Sequence, residues 1–359
     1  MKNFIRLGTR QSPLAIWQAE AAAAALGAQG LASVLVGISS LGDRRQAEPI
    51  YKIGISGVFT RELDAALLAG EIDAAVHSYK DVPTVLADGL VVAAVLPRGS
   101  ADDALVLNKN WVQNLPKISN FPKVGVDTEG SNFLEKFKQT IDNQSFSIAT
   151  SSLRRRAQWL SKFPETDMRD VRGNIGTRLD KLERGDFDGI IMARAALERL
   201  DLWENLQQNR QAVALDWLLP APAQGAIVVV CRENEDILRG QFSKINCRET
   251  AAATQAERDF MAAMQVGCSM PIAAFAEFET LEKGKFYGKS DENLLKKMHL
   301  KVGAYSLDGR QHFEIENTFA PSEFSAAGAT MAARLLENTD CKTLIEKMQN
   351  DQNPIHAND

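Results

Sequence analysis

Long apolar runs are missing from this chain of 359 residues. None approaches the roughly 20 residues a membrane helix needs. The start, Met1-Lys-Asn-Phe-Ile-Arg, has no apolar h-region of a secretory signal. No membrane partner and a cytoplasmic location are therefore expected. Cysteine is scarce: Cys231, Cys247, Cys268 and Cys341 show no CxxC spacing. They read as reduced thiols rather than a disulfide framework. The four histidines, His77, His299, His312 and His356, are scattered without metal-ligand spacing, so no metal is expected. Positive charge is also in deficit, with 41 Lys and Arg against 46 Asp and Glu, a net charge of −5. That balance argues against bulk nucleic-acid binding, which needs a basic field.

What is present is an ordinary globular composition, 45% hydrophobic and 24% charged, on a chain long enough for two or three cores. Strand-like segments near Ile5–Thr9, Ala32–Ile38, Ile72–His77 and Val91–Leu96 alternate with helical ones. Ser12 reads as an N-cap and Pro13 as the first residue of a helix that Gly27 closes. A second alternating unit starts at Asp103 and includes Ser147–Thr150, a helix begun by Ser151 or Ser152, a strand near Met168–Val171, a helix over 176–183 and Gly189–Ala193. The pattern predicts α/β domains with largely parallel sheets. Beyond Pro220-Ala-Pro222 come a strand at Ile227–Cys231, a helix over Glu249–Met264, two further strands and a helix over Ser325–Glu337. That part reads as a small α+β domain. A polar insertion lies between Asn108 and Ser147, with a short helix possible over Phe133–Ile141.

Against the acidic background, arginine is concentrated. Thr150-Ser-Ser-Leu-Arg-Arg155 stands where a strand passes into a helix, so unpaired helix amides and two forked cations share one junction. The same spacing suits N-capping serines with a solvated arginine face. Arg172-Gly-Asn-Ile-Gly-Thr-Arg178 repeats the arrangement, and its glycines allow close approach of a ligand to the backbone. Arg10-Gln-Ser12-Pro repeats it again. Ligands in open α/β sheets bind outside the carboxyl ends of strands, so these junctions can converge on one cleft. An anionic small molecule with several carboxylates would suit such a cleft. Lys80 and Asp81 follow a buried-looking strand. Asp81 could accept a substrate N–H or stabilise a cation, or simply form an exposed ion pair before Pro83. Cys268, in Val266-Gly-Cys-Ser-Met-Pro271, is either a nucleophile in a Gly-Ser loop or a buried structural thiol.

Taken in order, Thr9–Ala15, Ala75–Pro83, Thr150–Arg155, Val171–Leu179 and Gly267–Ile272 resemble the porphobilinogen deaminase family, and Leu219–Ala226 fits with one change. The resemblance spans about residues 4–310. It implies two domains like type II periplasmic binding proteins with a cleft between them, plus a small α+β C-terminal domain. The implied division is 1–99 with 203–222 as domain 1, 100–202 as domain 2, 223–350 as domain 3 and 351–359 as a frayed tail. The implied activity joins four porphobilinogen molecules head to tail on a dipyrromethane cofactor, releasing ammonia from each. Hydroxymethylbilane is then hydrolysed off. Cys268 would carry the cofactor by a thioether, and Asp81 would contact pyrrole N–H groups and stabilise the cationic azafulvene. Arg10, Ser12, Lys80, Ser152, Arg154, Arg155, Arg172 and Arg178 would bind carboxylates, and Arg199 matches another functional arginine. Gln18, Ser78, Thr150 and Gly173 lie in or beside the matched segments, Lys52 opens the family's lid segment, and all five join the candidate site. A monomer is expected.

The chain departs from the family pattern at several places. Ile55 and Ser56 stand where the lid segment has glycine and lysine. Ala149 and Ala223 replace glycines, and Arg194 and Ala196 replace a small polar residue and a glycine. The 108–148 insertion is longer than the family's. The lid changes leave a second reading open, a non-catalytic anion-binding protein of the periplasmic-binding type.

Overall fold

The computed structural model describes residues 4–39, 60–114, 137, 146–265, 270–279 and 296–352. The first unit opens with β1 (Ile5–Arg10), α1 (Pro13–Gly27) and β2 (Ser33–Ile38). Ser12 caps α1 by accepting the Ala15 N–H, with Pro13 at the first helical position, as the sequence predicts. It continues with α2 (Arg61–Leu68), β3 (Ala74–Ser78), a 3₁₀ turn over Tyr79–Asp81 and β4 (Leu90–Val95).

The chain then crosses to a second unit: β5 (Asp103–Leu107), α3 (Lys109–Asn114), β6 (Ser147–Ala149), α4 (Leu153–Lys162), β7 (Asp167–Arg169), α5 (Ile175–Glu183) and β8 (Gly189–Ala193). After these come α6 (Arg194–Arg199), α7 (Trp203–Gln208) and β9 (Ala212–Leu215). It crosses back through residues 216–226 to β10 (Ile227–Arg232) and α8 (Asp236–Phe242). The remainder is α9 (Arg248–Ala263), β11 (Ile272–Phe278), β12 (Met298–Tyr305), β13 (His312–Phe319), α10 (Phe324–Leu336) and α11 (Thr339–Gln352).

Two five-stranded sheets share one plan. The first runs β2-β1-β3-β10-β4 and the second β7-β6-β8-β5-β9. In each, a strand (β1 or β6) pairs in parallel with two neighbours. A fourth strand, β10 or β5, is antiparallel to both strands beside it. That strand has just crossed over from the other unit, so each sheet is completed by a segment delivered across the junction.

Two expected boundaries cut across these pairings. Residues 203–222 were expected with domain 1, but β9 pairs with β5 in the second sheet. Residues 223–350 were expected as domain 3, but β10 lies between β3 and β4 in the first. The same pairings make both sheets mixed rather than largely parallel. The cause is long-range: a Val-rich run such as Ile227–Cys231 suits any buried strand slot, and pairing alone selects which sheet takes it.

Apolar side chains cover both faces of each large sheet. Leu7, Val229, Leu26 and Phe242 pack on one face of the first sheet, and Leu63, Leu67, Ile72 and Val228 on the other. In the second, Leu105, Ile191, Trp159 and Phe163 oppose Ala104, Ile190, Leu197 and Trp203. Of the possible helix over 133–141 only Phe137 is described. It packs edge-on to Phe146 and Trp159 in that core. The third sheet, β11-β12-β13, is antiparallel and packs with α9 and α10. Those helices touch backbone to backbone, since a Cβ at Gly328 would lie 2.3 Å from the Ala256 carbonyl oxygen. The expected tail is helical to Gln352 within α11, and residues 353–359 lie outside the described residues.

Candidate active site

The predicted residues gather at carboxyl ends of strands on both large sheets. From the first come Arg10, the last residue of β1, Ser12 at the N-cap of α1, and the Tyr79–Asp81 turn after β3. From the second come Thr150 and Ser152 after β6, and Arg172, Gly173 and Arg178 around the start of α5. Ser152 caps α4 by accepting the Arg155 N–H at 3.4 Å, and Thr150 Oγ1 accepts the Ser152 N–H. As acceptors, Ser12 and Ser152 keep their own O–H free to donate. Gln18, buried in α1, exchanges hydrogen bonds with Ser78 Oγ at 2.8 and 3.1 Å, which ties α1 to the strand leading to Asp81.

The four central arginines divide into two kinds. Arg154 and Arg155 turn inward and are buried. Arg154 Nη2 lies 2.7 Å from Asp103 Oδ2, and its Nη1 donates to the Leu219 carbonyl. Arg155 Nε donates to Asp103 Oδ1 at 2.9 Å and its Nη1 to the Ile191 carbonyl. Burial alone would raise the Asp103 carboxyl. Arg154, Arg155 and Lys80 overcome it and hold the group down at about 2. Asp103 is therefore the counter-ion of both arginines at every ordinary pH.

Arg172 and Arg178 face a different environment. Arg172 Nε and Nη2 are buried and have no hydrogen-bond partner among the described residues. Burial lowers the Arg172 pKa, and Asp170 offsets part of that. Arg178 Nε donates to the Gly173 carbonyl at 2.8 Å. Burial, then Arg155 and Arg172, bring Arg178 down to about 10, while Asp81 acts the other way. Asp81 thus lies within electrostatic reach of Arg178 across the gap between the two units. Gly173 adopts φ +110, and a Cβ there would meet Thr177 at 2.7 Å. The turn that presents both arginines requires glycine at this position.

Lys80 and Asp81 sit at the end of the first sheet. Lys80 Nζ donates to Gln224 Oε1 at 3.1 Å. Burial, then Arg155, bring the ammonium down to about 8 against the pull of Asp81 and Asp103. The Asp81 carboxylate is exposed and has no hydrogen-bond partner among the described residues. His77, on β3, is buried and neutral, held down to about 4 by burial and then by Arg10.

Sequence reading missed the residues that join the units. Gln224, on the second crossing, accepts from Lys80 while its Nε2 donates to the Ala101 carbonyl and to Asp103 Oδ1. Arg98, on the first crossing, pairs with the buried Glu257 of α9 at 2.6 and 3.1 Å. Glu257 also accepts the N–H groups of Ala223 and Ala276. Ala223, where the resemblance expects glycine, takes φ +62, a left-handed conformation that an L side chain adopts at a cost.

Arg199 and Arg194 make their contacts within the protein. Arg199 donates to the Gly225 carbonyl at 2.6 Å and lies over the Trp17 ring, so it joins the second crossing to α1. Arg194 pairs with Glu198 and Asp102 and stacks on Trp203. A cavity of about 610 Å³ is lined by Trp17, Leu96, Arg98, Ala195 and Arg199, and by neither Asp81 nor Arg172. Cys268, Lys52, Ile55 and Ser56 lie outside the described residues. No group of side chains that could hold a metal is present among the described residues. No helix among them is long and apolar enough to cross a membrane.

Comparison with known proteins decides what this arrangement serves. The family model described as porphobilinogen deaminase, dipyromethane cofactor binding domain, matches residues 5–239. The model of the porphobilinogen deaminase C-terminal domain matches residues 251–337. The chain belongs to the porphobilinogen deaminase family. A porphobilinogen deaminase of Syntrophomonas wolfei is 35% identical over 348 residues, 96% of this chain and 99% of the relative. One of Xanthomonas oryzae is 39% identical over 277 residues, 77% of this chain and 82% of the relative. One of Rubrobacter xylanophilus is 41% identical over 277 residues, 77% and 81%. Among solved structures, the BvgS VFT2 domain of Bordetella pertussis is 13% identical with a TM-score of 0.38, covering 68% of this chain and 87% of that one. At that TM-score the architecture rests on the sheets described above.

Family membership favours catalysis over simple anion binding. The protein is a transferase of tetrapyrrole and haem biosynthesis. It polymerises porphobilinogen on a dipyrromethane cofactor and releases hydroxymethylbilane. The residues present fit such a group. Each pyrrole carries an acetate and a propionate, and Arg172 offers two buried nitrogens with no partner among the described residues, an arrangement that costs free energy until an anion arrives.

Proposed function

We propose that Asp81 is the carboxylate that stabilises positive charge on the substrate as ammonia leaves, and that Arg10, Ser12, Lys80, Ser152, Arg172 and Arg178 bind the acetate and propionate groups around it. The observation that carries this reading is the exposed Asp81 carboxylate facing Arg178 beside an arginine whose buried donors lack partners. Loss of ammonia from the aminomethyl group leaves a cation conjugated with the pyrrole ring. A fixed negative charge near the pyrrole N–H stabilises that cation more than it does the neutral substrate, which lowers the barrier.

Dipyrromethane, when bound, supplies the primer whose free pyrrole carbon is extended. Cys268 would hold it by a thioether, from the segment between α9 and β11. Arg154 and Arg155 act one layer back: paired with Asp103, they hold the base of the cleft and set the field felt by Lys80. Arg199 acts through Gly225 and Trp17 at the junction of the units.

The sheets support a domain division different from the expected one. Unit 1 would be β1–β4 with β10, unit 2 β5–β9, and unit 3 the chain from α9 onward. A cytoplasmic monomer fits the composition, and sedimentation of the purified protein tests it.

Asp81→Ala is expected to keep its fold and the primer mass on the Cys268 peptide while losing nearly all turnover. Near-normal turnover would remove Asp81 from this role. An unmodified Cys268 in active protein would remove the cysteine from its own.

A further inference from the structure

The Tyr79–Asp81 turn sets where the exposed Asp81 side chain leaves the backbone. It is a single short 3₁₀ turn whose closing bond, from the Val82 N–H to the Tyr79 carbonyl, is 3.2 Å long. A lone 3₁₀ turn has poor hydrogen-bond geometry and is seldom rigid by itself.

A guanidinium from the third unit reinforces it. Arg258, on α9 and buried, places Nη1 2.8 Å from the Val82 carbonyl oxygen and 3.5 Å from that of Tyr79. Its Nη2 donates to the Pro83 carbonyl. The same guanidinium lies 4.4 Å from the centroid of the buried Tyr79 ring. The fork therefore holds backbone on both sides of Asp81, and the ring beneath fixes its plane.

The buried guanidinium forms no ion pair with a carboxylate among the described residues. Of the acidic residues on either side of it, Glu257 is taken up by Arg98, Ala223 and Ala276, and Asp259 accepts from Gln255. Three carbonyl oxygens satisfy Arg258 instead, which holds the turn at a defined distance from α9. Helix α9 is also the element that leads, through Met264 and Gln265, into the segment containing Cys268. One helix therefore fixes the position of Asp81 and carries the chain to Cys268.

We propose that Arg258 is a positioning residue for Asp81, registering the carboxylate against the reacting pyrrole from the third unit. The inference rests on the role given to Asp81 above. A displacement of about 1 Å in such a group costs on the order of 100-fold in rate.

The test uses holoenzyme carrying Arg258→Lys, which keeps the charge and loses the fork. Expected are an unchanged primer mass, a Tm within a few degrees of the parent, KM within about threefold and kcat lower by on the order of 10- to 100-fold. In an Asp81→Glu background the same substitution should cost little more, because the carboxylate is already misplaced. Arg258→Ala should recover part of its kcat when methylguanidinium fills the vacated space. Normal kcat in Arg258→Lys, or an equal loss in the Asp81→Glu background, would overturn the proposal. So would a folded Arg258→Ala that methylguanidinium does not restore. Should Asp81→Ala itself keep its turnover, the Asp81 reading falls and this inference with it. Should Asp81→Ala be inactive while Arg258→Lys is normal, only this inference falls.

Discussion

Arg154 and Arg155 stand at one strand-to-helix junction of the second sheet, and Arg172 and Arg178 at the next. In sequence they look alike, each set beside small polar residues. In the fold they do opposite things. The first pair shares a buried carboxylate and carbonyl oxygens inside the protein. In the second, Arg172 keeps two buried donors unsatisfied, against one, Nε, on Arg154, and Arg178 feels the charge of Asp81. One pair completes the scaffold, and the other has capacity left for an anion. The difference comes from Asp103, which is fully buried and reaches only the first pair.

The sharpest way to break the comparison is Asp103→Asn. It would leave two buried guanidiniums without a counter-ion, at a cost of about 3–5 kcal/mol, read as a lower denaturant midpoint. Unchanged stability would mean that the first pair is not held as described. Arg172→Gln should do the reverse. Loss of a charged hydrogen bond to a carboxylate would lower kcat/KM by about 10- to 100-fold, with stability within about 0.5 kcal/mol of the parent. A large stability loss there would make the second pair structural as well.

The smallest effect belongs to Lys80, which feels Arg155, Arg154 and Asp103 on one side and Asp81 on the other. Its folded pKa lies below the ordinary lysine value, at about 8. Charge on Lys80 is full below that pH and is lost as pH rises through it, so KM for porphobilinogen should climb a few-fold between pH 7 and 9. The conformational consequence has the opposite sign. Burying the ammonium is unfavourable, so the penalty is present below pH 8 and is relieved as pH rises toward 10.5. Lys80→Arg should flatten the KM profile, since guanidinium stays charged. A slope that persists in that variant would assign it to another group.

Much of the fold was legible because its signals are local. Ser12 and Pro13 mark the start of α1, and α9 follows a sustained helical pattern. Several elements carried weaker marks. α6 and α7 are six residues each, β9 is four, and the exposed strand β13 alternates polar residues. The placement of β9 and β10 depended on partners far away in sequence, which no periodicity encodes. In the site, the arginines were visible as types and spacing, but their division into paired and open was not. Asp103 looks like any residue opening a strand, and Gln224 like one more polar residue in a Pro-rich connection. Arg258 sits in a helix whose pattern does not distinguish a solvated arginine from one that grips three carbonyls.

The exchange of strands between the two large sheets has a consequence for how the chain is made. A ribosome delivers residues in order, and β10, an interior strand of the first sheet, emerges only after the whole second sheet has been synthesised. Until then the nascent chain carries β3 and β4 with their inner edges unpaired. Such edges recruit other strands, so the first half waits in a sticky, incomplete state while the second is translated. Slow translation through residues 100–226 should lengthen that exposure, and truncated products ending there should be the ones that chaperones hold or proteases clear.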